Sequence, residues 1–194
     1  MATVYQGCKR DALSYAAAQI SYEHAEIHGG SMFTAWALDE SIGTGVGSDL
    51  VIAWKTPASD ATTTKLGHFT FIWTCKTAGH ADFLEGPTWT AQTGSEIAVY
   101  NRYRSSTNTT IMLQNESDAA FTDYDSLIKN PASFTGGTII WQDYAFAEKK
   151  GTVSSRANNE IIAKANTTYA VRIVPDAATS GVFARLTWYE HTNR

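Results

Sequence analysis

Two stretches in which apolar and polar residues alternate constrain the fold of this chain more than any other feature. In Phe69–Cys75 and in Val182–Glu190, every second position is apolar. Because successive side chains of a β-strand point to opposite faces, each stretch predicts a half-buried strand with one face toward a core. The predicted core faces carry Phe69, Phe71 and Trp73 in the first strand, and Val182, Ala184, Leu186 and Trp188 in the second.

The remainder of the chain repeats this kind of segment without helical patterns between the strands. Short runs rich in Val, Ile, Thr and aromatic residues are bounded by Gly, Pro, Asn, Asp or Ser, which are turn residues. Many short strands without strand–helix alternation predict an all-β antiparallel double-sheet sandwich, and more specifically a jelly roll. The predicted strands are Met32–Leu38, Asp49–Lys55, Gly67–Cys75, Glu96–Tyr103, Thr109–Gln114, Thr138–Phe146, Glu160–Ala163, Tyr169–Val174 and Val182–Tyr189.

The strand pattern divides the chain into two regions. Residues 1–23 are expected to form an N-terminal arm, and residues 24–194 the sandwich. Within the arm, Ala12–Ile20 is rich in helix formers and has the length of two helical turns. Two polar stretches, Asn115–Gly137 and Glu148–Asn159, are expected to be long loops that offer contact surfaces.

Composition narrows the functional class. With 194 residues, 43% hydrophobic residues and a net charge of −4, the chain is typical of one globular domain. It has no cluster of Lys and Arg for a nucleic-acid backbone and no apolar run long enough to span a bilayer. We therefore expect neither a nucleic-acid nor a membrane partner. Two cysteines, Cys8 and Cys75, are too few for a disulfide scaffold, and both are expected to be thiols.

The most chemistry-like residues are His24, Glu26 and His28. On a strand, this spacing would place two imidazoles and a carboxylate on one face, where they could approach a metal ion. The pattern is not the HExxH signature, and no further ligand is evident in the sequence. No GxSxG nucleophile motif occurs either. We therefore expect a structural polar cluster here, and no catalytic residues, no metal and no cofactor.

Several short motifs resemble one known family. They are His24-x-x-x-His28-Gly-Gly, then Phe83-Leu-Glu-Gly-Pro, Val99-Tyr-Asn-Arg-x-Arg-x-Ser-x-Asn, Asn166-Thr-Thr-Tyr, and Leu186-Thr-Trp-Tyr-Glu. Together they resemble a family of β-sandwich proteins from the virions of tailed bacteriophages, of the capsid decoration or cement type. Family members more often carry Tyr at the position of Leu84. The resemblance implies a non-enzymatic protein of the capsid surface that is made in the bacterial cytoplasm, contacts the major capsid protein and forms a homo-oligomer, with a trimer favoured.

The Val99–Asn108 motif also holds the candidate interface residues Tyr100, Arg102 and Arg104. On a strand, these three would share one face, with Tyr103 on the other, and Arg and Tyr are enriched at protein interfaces. They would otherwise be solvent-facing residues of an outer sheet. Six tryptophans leave a carbohydrate- or receptor-binding module of a tail or head fibre as an alternative, although most lie in strand runs that favour core packing. Trp89, in a polar turn, is the expected exception. A jelly-roll enzyme of cupin type is the third possibility.

Overall fold

Among the described residues of the computed structural model, all regular elements but one short helix are β-strands. The structure describes residues 8–10, 17–19, 22–42, 48–58, 65–90, 93–112, 127–146, 160–177 and 180–192. One helix, α1, spans Tyr22–Gly29. The strands are β1 (Cys8–Arg10), β2 (Ala17–Gln19), β3 (Met32–Ile42), β4 (Leu50–Lys55), β5 (Lys65–Cys75), β6 (Gly79–Thr88), β7 (Ser95–Ile97), β8 (Tyr100–Asn101), β9 (Leu127–Lys129), β10 (Thr135–Ala145), β11 (Ile161–Ile162), β12 (Thr168–Pro175) and β13 (Ser180–Thr192).

Two antiparallel sheets pack face to face as a sandwich, which confirms the predicted fold class. The six-stranded sheet has the order β10-β6-β12-β4-β9-β7, and the five-stranded sheet has the order β11-β5-β13-β3-β8. The short strands β1 and β2 pair only with each other. Consecutive strands β3, β4, β5 and β6 alternate between the two sheets, which is compatible with a jelly roll.

The core lies between the sheets and is rich in aromatic rings. Trp54 of β4 packs against Phe69 of the opposite sheet at a centroid distance of 5.0 Å and against Phe83 at 5.5 Å. A polar link also crosses the sandwich, because the Trp73 Nε1–H donates to Asp143 Oδ2 at 3.1 Å. The alternation predicted from sequence is confirmed in both strands: Phe69 and Trp73 are buried, Phe71 packs against the core, and Val182, Ala184, Leu186 and Trp188 are all buried.

Several predicted element boundaries are wrong. Ala17–Gln19 is a strand instead of part of a helical segment, and the helix begins only at Tyr22. The predicted loop Asn115–Gly137 contains β9 and the start of β10, and the ten-residue strand β6 was not predicted. Residues 109–112 form no strand. The polar stretch Glu148–Asn159 lies outside the described residues.

Candidate interaction surface

The outer face of the five-stranded sheet carries large apolar side chains that no described residue covers. In β3, Phe33, Ala35 and Ala37 face the core, so the alternate residues face outward. Among these outward residues, Trp36 is 45% exposed and Leu38 is 50% exposed. The larger side chains of this part of β3 therefore point to solvent, while small alanines occupy the space between the sheets.

An aromatic stack organises this face. Tyr100 of β8 pairs with Thr34 of β3, and its ring lies 5.0 Å from that of Trp36 at an interplanar angle of 15°. The Arg104 guanidinium lies 5.6 Å from the centre of the Tyr100 ring, at cation–π distance. Arg185 of β13 pairs with Trp36 on its other side. We call the exposed residues Trp36, Leu38, Tyr100 and Arg104 the outer-face patch.

A turn places Arg104 over Tyr100. The predicted strand Glu96–Tyr103 is interrupted, since β7 ends at Ile97 and β8 ends at Asn101. The Asn101 side chain accepts a hydrogen bond from the Tyr103 N–H at 2.9 Å and donates to the Gly30 carbonyl at 2.9 Å. An Asn side chain that bonds the backbone two residues on replaces extended structure with a turn. The strict alternation predicted for Tyr100 to Arg104 is therefore wrong beyond Asn101.

The structure brings two of the three candidate interface residues together. Tyr100 and Arg104 contact each other, as described above. The Arg102 N–H donates to the Met32 carbonyl at 2.8 Å, and its guanidinium reaches the Met32 sulfur at 3.4 Å. Arg102 is therefore tied to the start of β3, although its side chain is exposed. Tyr103 is also exposed, and its ring lies 6.3 Å from that of His28.

The tryptophans separate into core and surface residues. Trp54, Trp73 and Trp188 are buried, as the strand pattern predicted, and Trp141 packs against the core. Trp89 is half-buried against a small apolar cluster on the outer face of the six-stranded sheet. The expectation of core packing is wrong for Trp36, which is the most exposed of the six. No local sequence signal indicated this, because both faces of this part of β3 are apolar.

The three candidate metal ligands lie on α1 instead of a strand. On a helix, residues four apart share a face, so His24 and His28 come together with their Nε2 atoms 3.0 Å apart. Glu26 points elsewhere, because its carboxylate accepts a hydrogen bond from the Ser31 hydroxyl. In the described part of the chain, no three His, Cys, Asp or Glu side chains are grouped to hold one metal ion.

A histidine cluster lies near the end of β13. His68 Nε2 is 2.6 Å from His191 Nε2, and His68 Nδ1 is 3.1 Å from Glu160 Oε1 and 3.1 Å from the Tyr189 hydroxyl. Burial lowers the pKa of His68, although the neighbouring Glu160 carboxylate acts in the opposite direction. The ring is only 8% exposed. Its contacts join β5, β13 and the residue before β11.

A second polar cluster crosses the outer face of the six-stranded sheet. The buried Asp82 carboxylate accepts two hydrogen bonds from Arg172, at 2.6 and 3.1 Å, and one from Gln142 Nε2 at 2.7 Å. Asp49 lies 4.0 Å from Arg172. Partial burial raises the pKa of Asp49, while the Arg172 charge acts to lower it. The cluster joins β10, β6 and β12 side by side.

Two further side chains that could take part in chemistry, Tyr169 and Cys75, are in contact with polar neighbours. Burial raises the pKa of Tyr169 to about 12, and its hydroxyl donates to Glu85 at 3.2 Å while it accepts the Lys164 N–H at 2.8 Å. Cys75 is a free thiol, as predicted, and it is fully buried with its sulfur 3.2 Å from the Ser180 hydroxyl. The Cys8 side chain lies outside the described residues.

A second group of exposed apolar residues lies at the opposite margin of the molecule. β10 forms one edge of the six-stranded sheet, and no described strand pairs with its outer side. Ile139, Ile140 and Tyr144 of this strand are exposed, and Phe146 just beyond it is 71% exposed. The only charged residue of β10 is Asp143, which bonds inward to Trp73. This edge strand therefore lacks the exposed charges that usually discourage pairing with another chain.

Comparison of the chain with protein-family models, curated proteins and solved structures finds no match. Within the described residues, no helix has the length and apolar character needed to cross a membrane.

Proposed function

We propose that this protein is a non-enzymatic structural protein of a tailed-bacteriophage virion, which decorates or cements the head by binding the major capsid protein. The observation that carries the proposal is the outer-face patch, in which exposed aromatic and apolar residues of β3 and β8 lie beside Arg104. It includes Tyr100 and Arg104 of the motif that most resembles the virion family.

The chemistry of the patch supports protein binding. Trp, Tyr and Arg are the residues most enriched among those that dominate the energy of protein interfaces. The stacked rings of Trp36 and Tyr100 and the Arg104 guanidinium above Tyr100 are held in place before binding by β3, β8 and the Asn101 turn. Side chains that are already ordered lose little conformational entropy on binding, so more of the contact energy contributes to affinity.

The β10 edge supports self-association, the second part of the proposal. Exposed Ile139, Ile140, Tyr144 and Phe146 at an unpaired strand edge favour contact with another β surface. This edge and the outer-face patch are on different sheets, so one protomer can contact the capsid and another copy at once. A homo-oligomer, with the trimer favoured by the family resemblance, is the proposed assembly.

The test is a binding assay with phage shells that lack this protein. Changing both Trp36 and Arg104 to alanine should reduce shell occupancy at least about tenfold, since hot-spot residues each contribute about 2 kcal/mol or more. The control is Ile162→Ala, which removes an exposed apolar residue of β11 that belongs to neither the outer-face patch nor the β10 edge. Normal shell binding by a folded double variant, or an equal loss in the control, would exclude this face as the docking surface.

A carbohydrate- or receptor-binding module of a phage fibre is the second candidate. The specific observation in its favour is the near-parallel, exposed pair Trp36 and Tyr100, because flat aromatic surfaces stack against sugar rings. A glycan array probed with the untagged protein distinguishes the two functions. Binding to glycans that is lost in Trp36→Ala, together with undiminished shell occupancy of that variant, would favour the fibre module.

A further inference from the structure

The exposed face of α1 carries two histidines in a chelating arrangement. His24 and His28 are four residues apart, and both side chains are exposed. Their Nε2 atoms are 3.0 Å apart, with ring centroids 4.6 Å apart and planes inclined at 61°. The two nitrogens therefore converge on one point at the helix surface instead of stacking side by side.

We propose that His24 and His28 form a bidentate site for a divalent transition metal ion, with Cu²⁺ as the preferred ion. Imidazole nitrogens bind such ions at about 2.0–2.1 Å. Two nitrogens 3.0 Å apart at that distance from a shared ion subtend an angle of about 95°. This angle suits the tetragonal geometry of Cu²⁺ or Ni²⁺ better than the tetrahedral angle that Zn²⁺ prefers, and Cu²⁺ binds such donors most strongly.

The helix already holds the two histidines close together, as a bidentate metal site requires. Residues i and i+4 on a helix are neighbours without any change of backbone, so only two side chains must be fixed when the ion binds. In the ion-free state, the two Nε2 atoms are at hydrogen-bond distance. In the bound state, each ring carries its proton on Nδ1 and directs the Nε2 lone pair to the ion. Water would complete the coordination, because Glu26 bonds Ser31 and no third His, Cys, Asp or Glu of the described residues joins the pair.

The site lies beside the turn that carries Tyr103 and Arg104. The His28 ring is 6.3 Å from the Tyr103 ring, centroid to centroid, and α1 leads directly into β3 through Gly30 and Ser31. A bound ion would thus link two turns of α1 at the margin of the proposed docking surface. The inference does not depend on the proposed function, since it concerns metal binding by the isolated protein.

The test is titration of untagged protein with CuCl₂, followed by calorimetry and by electron paramagnetic resonance. We expect one saturable equivalent with two nitrogen donors in the resonance spectrum. His24→Ala and His28→Ala should each weaken binding by at least about tenfold, because even loss of a residue that supports a metal ligand reduces affinity 10- to 100-fold. His80→Ala, in β6 of the six-stranded sheet, is the matched control and should bind copper as the parent does.

The thermal melting curve of each variant checks that the sandwich is intact, because α1 contributes little to the core. Copper binding that survives both single substitutions, or that falls equally in His80→Ala, would overturn the assignment. A titration of the parent without a saturable equivalent would also overturn it. Zn²⁺ binding as tight as Cu²⁺ binding would contradict the geometry inferred from the 3.0 Å separation.

Discussion

At the scale of single residues, Glu190 links the end of β13 to residues 110–112 by hydrogen bonds. Its side chain is only 3% exposed, yet no described Lys or Arg pairs with it. The carboxylate instead accepts hydrogen bonds from the Trp188 indole N–H, the Ile111 N–H and the Thr110 hydroxyl. A buried carboxylate is tolerated when neutral donors surround it in this way. The strand-free segment 109–112 is therefore held by one side chain.

We predict that Glu190→Gln lowers the free energy of unfolding by roughly 1.5–3 kcal/mol, the range typical of hydrogen bonds to a charged group. The amide retains the shape of the side chain but turns a donor toward the Ile111 N–H. Urea unfolding followed by tryptophan fluorescence measures the change. Glu40→Gln, at an exposed position of β3, is the control and should stay within about 0.5 kcal/mol of the parent.

His68 makes stability depend on pH. Burial lowers its pKa from the ordinary value of 6.5, so the unfolded chain binds a proton more readily than the folded protein. The contribution of the neutral His68 side chain to folding stability is therefore complete above pH 6.5. It is lost as the pH falls through the pKa of His68 in the folded state.

We predict that the melting temperature of the parent falls between about pH 7 and pH 5, and that His68→Gln reduces this dependence. Most carboxylates titrate below this window. Melting curves at a series of pH values measure the slope. A slope in His68→Gln identical to that of the parent would show that another group is responsible.

At the scale of elements, the junction between α1 and β3 depends on a glycine. Gly30 has a positive φ of 69°, and a Cβ there would lie 2.5 Å from the Ser106 Oγ and 3.0 Å from the Asn108 Nδ2. The Gly30 carbonyl also accepts the Asn101 amide that shapes the Tyr100–Arg104 turn. The absence of a side chain at Gly30 thus lets the 106–108 segment pack against the helix end.

We predict that Gly30→Ala destabilises the protein by roughly 1–3 kcal/mol, since it adds both backbone strain and a close contact. Gly29→Ala is the matched control. Its Cβ would meet the Ser31 Oγ at an ordinary 3.5 Å, and its φ is not positive. Thermal unfolding should therefore separate the two neighbouring variants, and equal melting temperatures would contradict the packing described here.

At the scale of the whole molecule, most of the exposed large apolar residues form two groups on different sheets, and Ile162 of β11 lies outside both. The outer-face patch lies on β3 and β8, and the second group follows the β10 edge. A β-bulge between Ile139 and Trp141 interrupts the pairing of β10 with β6 and leaves Ile140 as the extra residue. Bulges often protect sheet edges, but this one exposes an isoleucine instead of a charged residue.

We predict that Ile140→Lys reduces concentration-dependent self-association, because a charge at a strand edge opposes pairing with a second chain. Sedimentation velocity over a range of protein concentrations measures this. Leu38→Lys places the same charge on the outer-face patch and should leave self-association unchanged. A parent that stays monomeric throughout would rule out the β10 edge as a contact between copies.

Local sequence patterns were sufficient to predict the strands that are largely apolar on one face only. In β13, the buried Val182, Ala184, Leu186 and Trp188 alternate with Phe183, Arg185, Thr187 and Tyr189, a set that is more polar as a whole, so the hydrophobic effect favours burial of the first face. The sandwich class followed from many such segments. The short strand β9 was missed, because three residues in a polar region give no periodic signal.

The sequence by itself determined that this chain forms antiparallel sheets around an aromatic core, since alternation and turn residues act within a few positions of each other. Only the tertiary structure decided which face of β3 is buried. Both faces of that strand are apolar, and pairing with β13, some 150 residues away, turns Trp36 outward. The placement of His24 and His28 was decided in a similar way: an eight-residue helix is marginal by itself, so its contacts with the sandwich determine that the two histidines meet.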